Sequence, residues 1–295
     1  MIALVVSDVT NPVYFQIIRG AEAAAADAGY TIVLADSQES GQIERTSVER
    51  AISAVDGVVL TSSRMSDAAI RIVAQQRPTV VLNRAFPEVP AVVTDNPRGM
   101  RRVAEHLAEL GHDRLTYVAG PESSWADGMR WRSIREACLE LELTVRRLGP
   151  YAPTVLGGVA AAADLRRSPG TAVVAYNDLV AIGLMRGLTR AGVGVPRDVS
   201  VVGFDNIFGS DFCTPALTTV AAPLRDLGAA GVQLLRGLLT GAQPRIGSPH
   251  VLPVQLIVRG STAQRSRKRS SPARGTTKVS GSADHADGST SAGSR

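Results

Sequence analysis

Short apolar runs alternate along this chain with longer segments of helical spacing, and few folds accept that alternation. Residues 2–7, 31–35, 57–61 and 79–83 are rich in Val, Ile and Leu and apolar on both faces, which predicts buried parallel strands. Between them, residues 12–28, 41–54 and 65–76 carry helical spacing with alanine or charged filler. The pattern then repeats, with strands at 115–120, 171–175 and 199–203 and helices near 97–110, 129–143, 155–166 and 178–191. Gly111, Gly149 and Gly192 stand where helix C-caps would fall. Strand–helix–strand units imply right-handed crossovers, so the expected fold class is α/β, with two doubly wound parallel-sheet lobes of about a hundred residues each.

The charge is not spread evenly. Residues 263–295 hold seven Lys and Arg against two Asp, while the remainder holds 25 basic and 25 acidic residues. The folded part is therefore neutral, which gives no basic face for DNA. The segment 263–295 lacks aromatic residues and almost all branched apolar ones, so it is expected to be a disordered, solvated basic and polar tail. Both lysines, Lys268 and Lys278, lie there, which removes Schiff-base and P-loop chemistry from the core. Cys138 and Cys213 are too few for a disulfide scaffold or a cysteine zinc site and read as buried apolar residues in a reducing compartment. The start, MIALVVSD, lacks a basic n-region, and no stretch is long enough to cross a bilayer, so a cytoplasmic protein with no membrane partner is expected.

In parallel α/β sheets, ligands bind beyond the carboxyl ends of the strands. Those ends carry Asp8, Asn11, Tyr14 and Phe15, then Asn83 and Arg84, then Ser124 and Trp125, then Tyr176, Asn177 and Asp178, and then Phe204, Asp205 and Asn206. Planar rings interleaved with Asp, Asn and Arg suit a sugar or nucleoside, since rings cover its apolar face and polar groups fork onto vicinal hydroxyls. Each residue also has a local reading. Asn11 before Pro12 could simply start a helix, Asn177–Asp178 and Asp205–Asn206 could be turn or cap residues, and Arg130 could be a solvated helix arginine. No histidine falls at a pocket mouth, and GxGxxG, GxxxxGK[ST], HExxH and CxxC are all missing. Asp8 and Asp205 could pair across a cleft like glycosidase carboxylates, but bonding to hydroxyls accounts for them without chemistry. No enzyme, cofactor or metal is expected.

The run YNDLVAIGLMRGLTRAGVGVPRDVSVVGFDN (176–206) followed by FCTPALTTV (212–220) resembles the effector-binding core of the lactose/galactose-repressor (LacI/GalR) family. NPVYFQIIRGAE (11–22), AVVTDN (91–96), HLAELGHDRLTYVAGP (106–121) and LPVQLIVRGST (252–262) match in the same order. The resemblance implies a periplasmic-binding-protein-like type I fold whose two lobes are joined by three crossover strands, near Asp95–Asn96, Ala221–Ala222 and Pro253. The lobes would be residues 1–95 plus 222–252, and 96–221 plus 253–262. It further implies an effector site of Tyr14 and Phe15 packed on the ligand ring, Asn83 with Arg84 beside it, Ser124 and Trp125 ahead of the effector-binding Arg130, Tyr151, Asn177, Asp205, and Asp8. Ala222 departs from the polar residue that many relatives place there. The implied function is sensing of a sugar or related polyol in the interlobe cleft, with closure transmitted through a homodimer of a transcriptional regulator. Operator DNA is an implied partner only if a helix-turn-helix lies upstream of Met1, because the chain starts at the first core strand. A sugar-binding protein of a transport system is the alternative.

Overall fold

The computed structural model describes residues 1–242 and 247–265. The first sheet gathers β1 (Ile2–Val6), β2 (Ile32–Asp36), β3 (Gly57–Thr61), β4 (Thr79–Leu82), β5 (Ala91–Thr94) and β11 (His250–Leu252), in the order β11-β5-β4-β3-β1-β2, all parallel. The second gathers β6 (Arg114–Val118), β7 (Thr144–Leu148), β8 (Ala172–Ala175), β9 (Ser200–Asp205), β10 (Thr218–Ala221) and β12 (Gln255–Ile257), in the order β12-β10-β9-β8-β6-β7. Only β12 runs antiparallel, against β10. The two sheets therefore share one winding, and each reverses its strand order beside its own first strand.

Helices α1 (Pro12–Asp27), α2 (Gly41–Ala51) and α3 (Asp67–Gln76) belong to the first lobe. The second lobe carries α4 (Asn96–Glu109), α5 (Trp125–Glu140), α6 (Val155–Arg167), α7 (Asp178–Arg190) and the single turn α8 (Gly209–Phe212). Helix α9 (Leu224–Leu239) returns to the first lobe, where Leu227, Val232 and Leu235 join Ile2, Leu4, Ile17 and Leu82 in one fully buried cluster. The apolar contacts between α1 and α9 are unusually close. A Cβ on Gly20 would stand 1.9 Å from the Arg225 carbonyl oxygen, and one on Gly228 would stand 2.0 Å from that of Ile17. The chain passes between the sheets three times, from β5 to α4, from β10 to α9 and from β11 to β12.

Several expectations need correction. The strand expected as buried, β2, is a sheet edge whose Val33 and Leu34 are exposed. Helix α5 starts at Trp125, four residues earlier than its apolar spacing suggests, because the Ser124 hydroxyl caps it by accepting from the Asp127 N–H. Gly149 is not a helix cap but follows β7 at φ +114°, whereas Gly111 and Gly192 do follow helix ends in the left-handed region. The segment expected to be a tail begins ordered. Ala263 bonds to Ser200, and the Arg265 N–H donates to the Leu110 carbonyl. The rest of the expected tail, 266–295, lies outside the described residues.

Candidate functional site

A doubly wound sheet leaves a crevice where its strand order reverses, outside the carboxyl ends of the two diverging strands. In the first lobe those strands are β1 and β3, which end in Ser7–Asp8 and in Ser62–Arg64. In the second they are β6 and β8, which end in Ala119–Gly120 and in Tyr176–Asn177.

The second crevice holds a buried polar knot around Arg130 on α5, whose residue surface is only 4% exposed. Its Nε donates to Asn96 Oδ1 at 2.9 Å, Nη1 to the Tyr176 carbonyl at 2.6 Å and Nη2 to Asp205 Oδ1 at 3.3 Å. The guanidinium lies 3.5 Å from the centroid of the Phe204 ring and 5.2 Å from that of Tyr176. Three of its five N–H groups are thus spoken for. Asp205 sits at the end of β9 with φ +108°, a strained conformation for a non-glycine residue. Burial pushes its carboxyl up to about 6, against the pull of Arg130. Asn177 caps α7 by accepting from the Val180 N–H at 3.0 Å, which leaves its amide nitrogen as a donor. The Ser124 hydroxyl pairs with that of Tyr176 at 3.0 Å.

A second buried guanidinium stands at the end of β3 in the first lobe. Arg64 donates to Glu39 Oε2 at 2.7 Å, and its side chain is buried. Burial works against its charge, but Tyr176, Glu39 and Tyr14 more than offset that penalty. Burial also lifts the Tyr14 phenol well above its ordinary range. The apolar body of Tyr14 belongs to a cluster that Ile207 of the second lobe joins.

Not every expected residue belongs to this group. Arg130, Asn177, Asp205 and Ser124 gather in the second crevice, Tyr14 is buried in the first-lobe cluster that Ile207 joins, and Trp125 lies half-buried one residue beyond Ser124. Phe15 is exposed, lies 5.4 Å beneath the Arg19 guanidinium, and lines a separate groove of about 410 Å³ with Asn206, Phe208 and Pro223. Asp8 folds back onto Thr10, accepting from its N–H at 2.8 Å and its hydroxyl at 2.6 Å. Asn83 ends β4 at φ +56°, half-buried. Arg84 spends its donors on the β3–α3 loop, at the carbonyls of Ser63 and Met65 and at the Asp67 carboxylate. Tyr151 gives its hydroxyl to Asp164 on α6 at 2.5 Å, away from Arg130. Sequence reasoning misses Asn96 and Arg64, and it places Tyr176 and Asp178 at a strand end without giving either a role in the effector site. Asp178 accepts from the Ile207 N–H and from the Ser210 and Thr219 hydroxyls, and so fastens the turn that follows Asp205. Its approach is possible because Gly203 has no Cβ, which would stand 2.1 Å from Asp178 Oδ1. Among the described residues no group of three or more His, Cys, Asp and Glu is arranged to hold a metal ion, and no helix is long and apolar enough to cross a membrane.

Comparison with known proteins agrees with this architecture. Residues 104–262 match the family model of the periplasmic binding protein-like domain. The HTH-type transcriptional repressor CytR of Escherichia coli (strain K12) is 33% identical over 271 residues, which cover 88% of this chain and 79% of that protein. The crystal structure of a LacI family transcriptional regulator from Enterococcus faecalis V583 with bound ribose superposes with a TM-score of 0.80 at 31% identity, covering 90% of this chain and 99% of that one. A complex of the transcriptional regulator CelR with cellobiose superposes with a TM-score of 0.79 at 32% identity, over 88% of this chain and 84% of that one.

Proposed function

The chain belongs to the LacI/GalR family of transcriptional regulators, and on that premise we propose that it is the effector-sensing core of such a regulator, taking a sugar or related polyol between its lobes. The observation that carries this reading is the buried Arg130–Asp205 pair at the second lobe's crevice. Arg130 is paired with Asp205 and Arg64 with Glu39, so both charges are already balanced and an uncharged polyol is a matched guest. It can accept from the two remaining Arg130 N–H groups and the Asn177 amide while donating to Asp205, each such bond to a charged group contributing about 1.5–3 kcal/mol. Ribose bound to the Enterococcus regulator and cellobiose bound to CelR support a carbohydrate guest. The relatives and structural neighbours are named as transcriptional regulators, which supports a site that binds without converting.

The lobes would be residues 1–95 with 222–252 and residues 96–221 with 253–262, hinged at the three crossings. Ligand would shift closure only by its difference in affinity for the open and closed arrangements. Calorimetry with a panel of pentoses, hexoses, disaccharides and ribonucleosides tests the reading. One class should bind, and Asp205→Asn should weaken it about tenfold or more. A folded protein that takes up no member of the panel would refute it.

A homodimer would read out that closure. Phe208 and Phe212 are 68% and 79% exposed with ring centroids 6.1 Å apart, and Phe212 lines a groove of about 520 Å³ with Ile182 and Met185. Exposed apolar side chains grouped in this way mark a contact surface. Sedimentation should find a dimer in the wild type and a monomer in Phe212→Glu, while an unchanged dimer in the variant would move the interface elsewhere.

A further inference from the structure

Arg259 has no part in the Arg130 knot, yet its guanidinium reaches the segment that carries Asp205. It follows β12, and its side chain is 16% exposed. Nη2 donates to Asn206 Oδ1 at 2.9 Å, Nη1 donates to the Leu217 carbonyl at 2.8 Å, and Nε stands 2.8 Å from Asp211 Oδ1. The Arg259 N–H donates to the Thr218 hydroxyl at 2.9 Å. One residue therefore grips the loop between β9 and β10 at its first position, in its middle and at its last. The chain enters that loop through two successive non-glycine residues at positive φ, Asp205 at +108° and Asn206 at +56°. Asparagine tolerates the left-handed region, but a residue held as Asp205 is persists there only where its surroundings leave no alternative. Three bonds supply that restraint: Arg130 on the Asp205 carboxylate, Asp178 on the Ile207 N–H and Arg259 on the Asn206 amide oxygen.

We propose that Arg259 is a positioning residue for the effector site, holding the Asp205–Asn206 turn so that the Asp205 carboxylate stays aimed at Arg130 and the guest. The inference rests on the effector reading above. Successive residues share a rigid peptide plane, so an Asn206 free to return to negative φ swings the Asp205 carbonyl and tilts the side chain beside it. The restraint comes from across the sheet, since β12 pairs with β10 and β10 with β9, where Ala221 stands opposite Asp205. A lysine cannot replace it, because one compact ammonium does not meet three separate acceptors.

A double-mutant cycle separates positioning from general support of the lobe. The wild type, Arg259→Gln, Asp205→Ala and the double variant are titrated with D-ribose, D-glucose, D-galactose and cellobiose. The fluorescence of Trp125 and Trp131 reads the binding, with sugar in enough excess to follow weakened variants. For a sugar that binds the wild type, Arg259→Gln should weaken binding about fivefold or more. In the Asp205→Ala background, where the group to be positioned is gone, the same change should cost less than about twofold. If thermal melting shows that Arg259→Gln does not fold, Arg259→Lys takes its place in the cycle, with the same result expected. An equal loss in both backgrounds overturns the proposal, because mere support of the lobe weakens binding by one factor whether or not Asp205 is present. A folded Arg259→Gln that binds as tightly as the wild type overturns it too. A wild type that binds none of the four sugars defeats the effector reading and this inference together, whereas a bound sugar with an additive cycle defeats this inference alone.

Discussion

Arg130→Ala should lower the free energy of unfolding by about 3–5 kcal/mol and abolish effector binding in the same variant. The guanidinium is the common partner of Asn96, the Tyr176 carbonyl and Asp205, and it lies stacked on Phe204. Truncation leaves a buried carboxylate without its cation and two more buried acceptors without a donor, so most of the loss is the desolvation of what remains. Arg130→Lys should recover little, because one compact ammonium cannot reach three divergent acceptors. Replacing both partners separates stability from binding. Arg130→Met with Asp205→Leu removes both charges, and should regain most of the stability in urea denaturation while leaving calorimetry with the bound sugar silent. A loss below about 1 kcal/mol in the single variant would show that the knot is not held by Arg130.

Asp178→Ala should be nearly as damaging, at about 3 kcal/mol or more, although the sequence offers Asp178 only as a strand-end residue, facing a ligand or capping a turn. Its carboxylate accepts from the Ile207 N–H at 3.0 Å and from the hydroxyls of Ser210 and Thr219 at 2.5 and 2.6 Å, all neutral donors. The two hydroxyls can rotate toward other acceptors, but the Ile207 N–H cannot, and each buried donor left unsatisfied costs about 1–3 kcal/mol. The pH dependence of stability gives an independent check. Burial, and then the neighbouring Asp205, push the Asp178 carboxyl up to about 7, far above its usual 3.8. The folded state therefore holds a proton that the unfolded chain has released, so the stability linked to this group is present below about pH 4 and is lost as pH rises through 7. Asp205, pushed up to about 6, adds a change of the same sign. Between about pH 5 and pH 8 the urea midpoint of the wild type should therefore lose ground relative to that of Asp178→Asn. Burial pushes the His106 and His112 imidazoles down and so gives a change of opposite sign, which makes the difference between the two proteins the test. An Asp178→Asn curve parallel to that of the wild type would contradict the assignment.

These two residues mark where sequence reasoning succeeds and where it stops. The parallel strands β1, β3, β4 and β8 are legible because a short run that is apolar on both faces fits a strand covered by helices on each side, and fits little else. Strand β7, Thr-Val-Arg-Arg-Leu at the sheet edge, has no such pattern, and β11 and β12 are three residues each. Helix α9 starts without a side-chain cap and follows the last repeat of the alternation, so no punctuation announces it. At the site, Ser124, Arg130, Asn177 and Asp205 stand out because strand ends and family motif coincide there. Asp8, Arg84 and Tyr151 are expected alongside them, yet each turns its polar atoms to a local partner, Thr10, the β3–α3 loop and Asp164 respectively. Such choices depend on rotamers and neighbours remote in sequence. The same holds for Asn96, which meets Arg130 across 34 positions, and for Asp178, which meets Thr219 across 41.

The return of α9 and β11 to the first lobe also bears on how the molecule is made. Leu227, Val232 and Leu235 complete a core begun by Ile2 and Leu4, so the lobe synthesised first lacks one wall until α9 has left the ribosome. Its earliest strands must wait through the synthesis of nearly the whole second lobe with apolar surface uncovered, a period in which nascent-chain chaperones have something to hold. Neither lobe is a contiguous stretch of gene, so exchanging one between relatives by a single recombination event would transplant a half-walled core.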